Sequence, residues 1–231
     1  VPGHGAARIN AVMRIATRLR RDPLALLSRV VSDTLAIPIQ HVIVADLEAF
    51  EHTVDELGGV TIDVRCPIMD NFIDPSAPNG RRLLNVNTGR QRLDGVTAAM
   101  YIRSRHGRSD WSRARRQQAV LLGLRDRVRA LGVSEWVPVL QRALDTGVTS
   151  SMSRLELLSL ARRVRAIERD RLHGMLIGHR EVEHHRTEEG RAVLVPNFEA
   201  LDRALAGLFT APAPGVVPAG RPCPAADAAL R

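Results

Sequence analysis

Lysine is missing altogether: all 33 basic residues of this 231-residue chain are arginine. They outnumber the 25 acidic residues and leave a formal charge of +8. Such a balance favours acidic partners, whether nucleic acid, phosphate esters or an anionic membrane face. A GC-rich coding sequence alone produces arginine in place of lysine, so where the arginines fall tells more than how many there are. Aromatic residues make up only 3%, which argues against base stacking on single strands, and no helix-turn-helix or zinc-finger spacing is present. No apolar run approaches the roughly 18 residues that cross a bilayer, and no signal peptide is visible. The chain starts at Val1 rather than Met, so a fragment or processed form is expected. Cys66 and Cys223 are the only cysteines. They fit neither a zinc site nor a CxxC redox pair, and both a disulfide in an oxidising compartment and two unpaired thiols stay open.

What is present is an ordinary apolar fraction, 45%, enough for one sizeable core. Apolar residues at helical spacing run through 8–19, and Asp22-Pro23 reads as an N-cap and first-turn proline opening a helix to Leu35. "HVIVADL" (41–47) is β-branched and predicts a buried strand. "EAFEHTVDELGG" predicts a helix stopped at Gly58-Gly59, and "VTIDVRCPI" a half-covered strand. Residues 69–82, rich in Asp, Asn, Pro and Gly, read as a loop. Asp94 caps a short helix, "GVTAAM", that runs into a strand, "YIRSR". A long helix follows from Ser109 to about Leu131, then helices near 134–144 and 153–169. "RLHGMLIGH" and "RAVLVP" predict strands, and 197–208 a last amphipathic helix. Residues 1–209 form one domain and 210–231 a Pro/Ala-rich flexible tail. Short strands alternating with helices argue an α/β domain with a sheet covered on both faces.

The densest arginine cluster is "RSRHGRSDWSRARRQQ" (103–118), six arginines and one acid in sixteen positions. In a strand, Arg103 and Arg105 point from one face and Ser104 from the other. In the following helix Asp110, Arg113 and Arg116–Gln117 form one stripe, and the helix N-terminus itself favours an anion. Ala114, Leu121, Leu124 and Val128 suit burial on the opposite face, whereas Arg108, Arg115, Arg125 and Arg127 read as solvated charges. Arginine's planar fork binds phosphate oxygens in pairs and keeps its charge near neutral pH. A pyrophosphate would relieve the mutual repulsion of such a cluster. An exposed basic helix with no ligand, and a helix tracking a nucleic-acid backbone, stay open on spacing alone. Elsewhere, His179, His184 and His185 do not share one face of a hairpin. The carboxylates of "DNFIDP" (70–75) read as turn formers, and Asp46 and Asp63 as structural residues in strands.

"LDGVTAAMYIRSRHGRSDWSRARRQQ" resembles the hallmark segment of the LytR-CpsA-Psr (LCP) family, LxGxxALxYxRxR followed by DxxRxxRQ. "VPGHGAARIN" resembles the family's PGxGxxKIN motif, "ELGGVTIDV" its GGV strand, and "GVTSSMSRLELLSLA" a later helix; Ala99 stands where the family commonly has Leu. The resemblance covers about residues 1–209. It implies a three-layer α-β-α fold with a central mixed sheet covered by helices, and a groove for a polyprenyl chain. It implies a phosphotransferase that moves a glycopolymer from a polyprenyl-pyrophosphate carrier to peptidoglycan or another cell-wall acceptor, forming a phosphodiester, with magnesium assisting. By position, Arg103, Arg105, Asp110 and Arg113 fall on the catalytic cluster. Arg8, Arg116 and Gln117 fall on substrate-binding positions. The family's DSI and PRDT segments are not in this sequence, so the N-terminal part of the domain, the magnesium ligands and a membrane anchor are expected ahead of Val1. A chain without them is expected to bind its ligand weakly or not at all. The implied location is the extracytoplasmic face of the bacterial membrane, with nucleic acid not a partner. The alternative is a non-catalytic binder of anionic lipid or nucleic acid, of the transcriptional-attenuator type.

Overall fold

Carboxylates set the helix starts. Asp22 accepts the N–H groups of Leu24 and Ala25 at 2.8 and 3.1 Å and opens helix α2 (Pro23–Leu35). Asp46 accepts from Ala49 at 2.7 Å and opens α3 (Leu47–Glu56), so it is a cap rather than a strand residue. Asp94 accepts from Thr97 at 2.7 Å and opens α4 (Gly95–Arg103), whose first N–H is taken by Asp55 at 2.7 Å. Each such cap is worth about 1 kcal/mol.

The structure, a computed structural model, describes residues 1–5, 7–105, 110–172, 174–187, 190 and 192–210, excluding the side chains at 110, 170 and 208–210. The expected tail, like His106–Ser109, lies outside the described residues. The remaining elements are α1 (Val12–Arg18), β1 (Ile43–Ala45), β2 (Val60–Val64), β3 (Ile68–Ile73), β4 (Arg81–Val86), β5 (Gly89–Leu93), α5 (Asp110–Ala130), α6 (Val133–Thr146), β6 (Val148–Ser150), α7 (Arg154–Ala166), β7 (Val182–Arg186), β8 (Ala192–Pro196) and α8 (Phe198–Thr210). The chain is α/β. Its strands pair as β1–β6, β2–β5, β3–β4 and β7–β8, with β2–β5, β3–β4 and β7–β8 antiparallel. Among the described residues these two-stranded ladders stand where one central sheet was expected. Cys66 is disulfide-bonded, which decides between the two states the sequence left open; Cys223 lies outside the described residues.

Two units make up the fold. One contains Val1–Val44, Thr149–Leu157 and the described residues after 173; the other contains Ala45–Val148 and Leu158–Leu172. The first has a small core of Val12, Ala16 and Leu26. The second has the larger one, built from the inward residues of β2 to β5 with Val54 of α3, Ala98 and Tyr101 of α4 and Val120 of α5.

Four expectations are corrected. Residues 69–82 are not a loop: Ile68↔Val86 through Ile73↔Arg81 pair as a hairpin, because alternate residues Ile68, Asp70 and Phe72 turn inward beneath a polar composition. "YIRSR" is not a strand. Helix α4 runs to Arg103, because Ala98 and Tyr101, one turn apart, are both buried in the core and that packing outweighs the β-preference of Tyr-Ile. Among the described residues of "RLHGMLIGH" there is no strand; β8 pairs instead with β7 in the His-rich segment. Strand β1 is not buried, with Ile43 48% exposed: β-branching sets an extended backbone, whereas burial needs a covering layer.

The expected arrangement of α5 is also rotated. Leu121 is 64% exposed, and the buried stripe is Arg116, Val120 and Gly123. Glycine at 123 is what lets α5 lie on β2, since a Cβ there would sit 2.7 Å from the Thr61 carbonyl oxygen. Gly95 seats α4 in the same way, its absent Cβ falling 2.1 Å from the Glu51 carbonyl oxygen of α3. Gly95→Ala and Gly123→Ala should each destabilise the protein by about 1–3 kcal/mol through overpacking, read as a lower midpoint in urea unfolding. Gly207→Ala, with open space around the new methyl, should be neutral or stabilising by up to about 1 kcal/mol.

Candidate functional site

The carboxyl end of a helix presents carbonyls with no intrahelical partner and the negative pole of its dipole. In a chain without lysine, arginine covers these ends. Arg127 of α5 donates to the Leu57 carbonyl at the end of α3, and Arg92 of β5 donates to Gly58 at 2.7 Å. Arg129 donates to Ile167 at 3.2 Å after α7, and Arg165 to Leu131 at 2.6 Å after α5. Arg125 pairs with Asp126 at 2.7 Å, its side chain 8% exposed. The reading of Arg125 and Arg127 as solvated charges is therefore overturned; Arg115 is exposed as expected.

The end of α4 is covered in the same manner, and here the family-motif residues gather. Arg116, 7% exposed, donates Nε to the Tyr101 carbonyl at 3.0 Å and Nη2 to the Ser104 carbonyl. Its guanidinium carbon lies 5.7 Å from the centre of the Tyr101 ring. Gln117 donates to the Ile102 carbonyl at 3.4 Å. Arg116 thus spends two donors on main chain. Such charge-assisted bonds are worth about 1.5–3 kcal/mol each.

Ser104 is the C-cap of α4, with φ −52° and ψ 132°, and is 1% exposed. Its N–H donates to Met100 at 2.9 Å, its carbonyl accepts from Arg116, and its hydroxyl donates to Asp70 Oδ2 of β3 at 2.6 Å. Arg103 and Arg105, on either side, are exposed. The alternation expected of a strand survives, produced instead by a helix end that turns extended at a buried serine. Two residues along the inward face of β3 from Asp70, the Phe72 ring lies 5.5 Å from the Arg103 guanidinium carbon. Arg113 lies one turn before Arg116–Gln117 on α5, half-buried. Asp110 opens α5; its side chain, and the expected cap Ser109, lie outside the description. Arg8 belongs to the other unit, where it donates to the Ala192 carbonyl of β8 at 2.9 Å.

Sequence reasoning missed Asp70, Phe72 and Ser104 as parts of this site. The available signal was the period-two pattern Ile68, Asp70, Phe72, hidden by the turn-forming composition around it. Among the described residues no group of three or more His, Cys, Asp or Glu side chains is placed to hold a metal ion. The rings of His179 and His184 stack at 6.2 Å.

The hairpin that carries Asp70 and Phe72 is tied at its tip by Asp74. This carboxylate accepts from the Ser76 hydroxyl at 2.6 Å, from Arg82 Nε at 2.6 Å and from the Ser76 N–H at 2.9 Å. In that order these bonds hold its pKa at about 2, down from 3.8. A depressed carboxyl contributes stability above its unfolded pKa and loses it on protonation. The contribution is therefore full above about pH 4 and lost as pH falls toward 2. Arg82→Ala should flatten the decline in unfolding midpoint across this window, and Asp74→Asn should flatten it further, measured by thermal unfolding from pH 5 to pH 2.

The model of the LytR_cpsA_psr family matches residues 2–205. Over 146 residues the chain is 28% identical to the polyisoprenyl-teichoic acid–peptidoglycan teichoic acid transferase TagT of Bacillus subtilis, covering 63% of this chain and 42% of that protein. The chain thus spans less than half the length of this curated relative. Among solved structures, B. subtilis TagV is similar with a TM-score of 0.67 and 18% identity, over 90% of this chain and 76% of that one. TagT bound to LIIa-WTA is similar with a TM-score of 0.65 and 20% identity, over 90% and 72%. At these identities the two structural likenesses speak to the fold.

Proposed function

The chain belongs to the LytR-CpsA-Psr family, and on that premise we propose that it serves in transferring a glycopolymer from a polyprenyl-pyrophosphate carrier to peptidoglycan or another cell-wall acceptor. The observation that carries the reading is the end of α4: two exposed arginines, Arg103 and Arg105, flank a buried serine whose polar groups are all engaged. The relative TagT, named for teichoic acid transfer to peptidoglycan and solved with LIIa-WTA bound, supports the substrate class. The disulfide at Cys66 suits an oxidising, extracytoplasmic setting. Among the described residues no helix is long and apolar enough to cross a membrane.

In this reading an acceptor hydroxyl attacks the phosphorus that bears the glycan. The bond from that phosphorus to the bridging oxygen breaks, polyprenyl monophosphate leaves with the electron pair, and the hydroxyl proton passes to water. Catalysis of such a step is mostly positioning and neutralisation of charge moving to the leaving oxygen. Arg103 and Arg105 hold the pyrophosphate oxygens, with Arg113 and Gln117 as further ligands and Asp110 orienting the arginines. Magnesium, which the family implies, would add Lewis-acid neutralisation when bound.

Arg103→Ala and Arg105→Ala should each weaken binding of geranylgeranyl pyrophosphate by the full-length protein about tenfold or more, measured by calorimetry. Arg115→Ala should leave binding unchanged. Raising salt from 50 to 200 mM should change the diphosphate affinity only modestly, whereas binding of duplex DNA that weakens about a thousandfold over that range would support the phosphate-backbone binder instead.

A further inference from the structure

Resting on that reading, we propose that Ser104 is a positioning residue, held between Asp70 and Arg116, and that it sets the directions of Arg103 and Arg105 without touching the substrate. The hydroxyl of Ser104 is tied to the Asp70 carboxylate at 2.6 Å, its carbonyl to the Arg116 guanidinium, and its N–H to Met100 at 2.9 Å. Three anchors from three elements, β3, α5 and α4, therefore fix one residue that is 1% exposed. With its φ and ψ fixed, the Cα–Cβ vectors of Arg103 and Arg105 are fixed as well.

Long arginine side chains lose considerable rotamer freedom on binding, so a launch point that already aims them lowers the cost of gripping a diphosphate. Phe72 supplies a second restraint on one of them, its ring 5.5 Å from the Arg103 guanidinium carbon. It projects from the same strand face as Asp70, so β3 acts as a template for this end of α4. Arg116 has an additional electrostatic part. The carboxyl end of α4 carries a partial negative charge that would repel a pyrophosphate, and a buried guanidinium on the Tyr101 and Ser104 carbonyls offsets it.

The test is a double-mutant cycle in the full-length protein with geranylgeranyl pyrophosphate as the probe. Ser104→Ala should weaken probe binding about tenfold while binding of geranylgeraniol, which lacks the diphosphate, is unchanged. In the Arg103→Ala/Arg105→Ala background, Ser104→Ala should produce no further loss, because a residue that acts through those arginines has nothing left to direct. Wild-type affinity in Ser104→Ala, or an equal additional loss in the double-arginine background, would overturn the positioning role. Failure of the wild-type protein to bind the probe at all would instead overturn the functional reading and the inference with it. Should Ser104→Ala show no cooperative unfolding transition, Asp70→Ala takes its place in the same cycle. It removes the acceptor of the Ser104 hydroxyl, and the same outcomes decide.

Discussion

A guanidinium buried against the carboxyl end of a short helix is the interaction on which the candidate site depends. Arg116 meets the carbonyls of Tyr101 and Ser104 where α4 would otherwise present unsatisfied acceptors and a negative pole. Without that cover, the last turn of α4 would be a poor place to gather an anion. With it, the negative pole is offset, and Arg103 and Arg105 stand exposed beside the covered turn. The same solution recurs at the ends of α3, α5 and α7. In this chain arginine therefore has two occupations, covering the carboxyl ends of helices and presenting charge outward.

The second constraint is backbone contact. Both helices that carry motif residues are seated by a glycine against a neighbouring main chain, Gly95 on α3 and Gly123 on β2. A methyl group at either position would displace the helix as a body. Site geometry in this fold is thus inherited from close packing in the core of the second unit, through α4 and α5, to side chains several residues away. The β3–β4 hairpin completes the frame from the other side, closed at its tip by Asp74, Ser76 and Arg82.

Much of this was legible in the sequence where local chemistry decides. Asp22-Pro23 and Asp94 declared their helices because capping is a short-range effect, and Gly58-Gly59 declared a stop because positive φ favours glycine, which both adopt. The long helix that runs to about Leu131 was legible too. Tertiary packing hid the rest. "YIRSR" looks extended until Ala98 and Tyr101 are seen to share a buried helical face. "IMDNFI" looks like a loop until its inward residues are paired with β4. The sorting of Arg116, Arg125 and Arg127 from Arg115 depends on which way α5 is turned, and composition carries no record of that. Alternation set Ser104 opposite the two arginines but carried nothing of its role, which arises from partners 34 residues before it and 12 after it.

The most direct measurement is a crystal structure of the full-length protein with geranylgeranyl pyrophosphate bound. The expected result places diphosphate oxygens within hydrogen-bonding distance of the Arg103 and Arg105 guanidinium groups, while Arg116 remains on the carbonyls of Tyr101 and Ser104. A diphosphate held away from the end of α4, or one that draws Arg116 off those carbonyls to bind it directly, would contradict the division of labour between a buried arginine that builds the site and exposed arginines that use it.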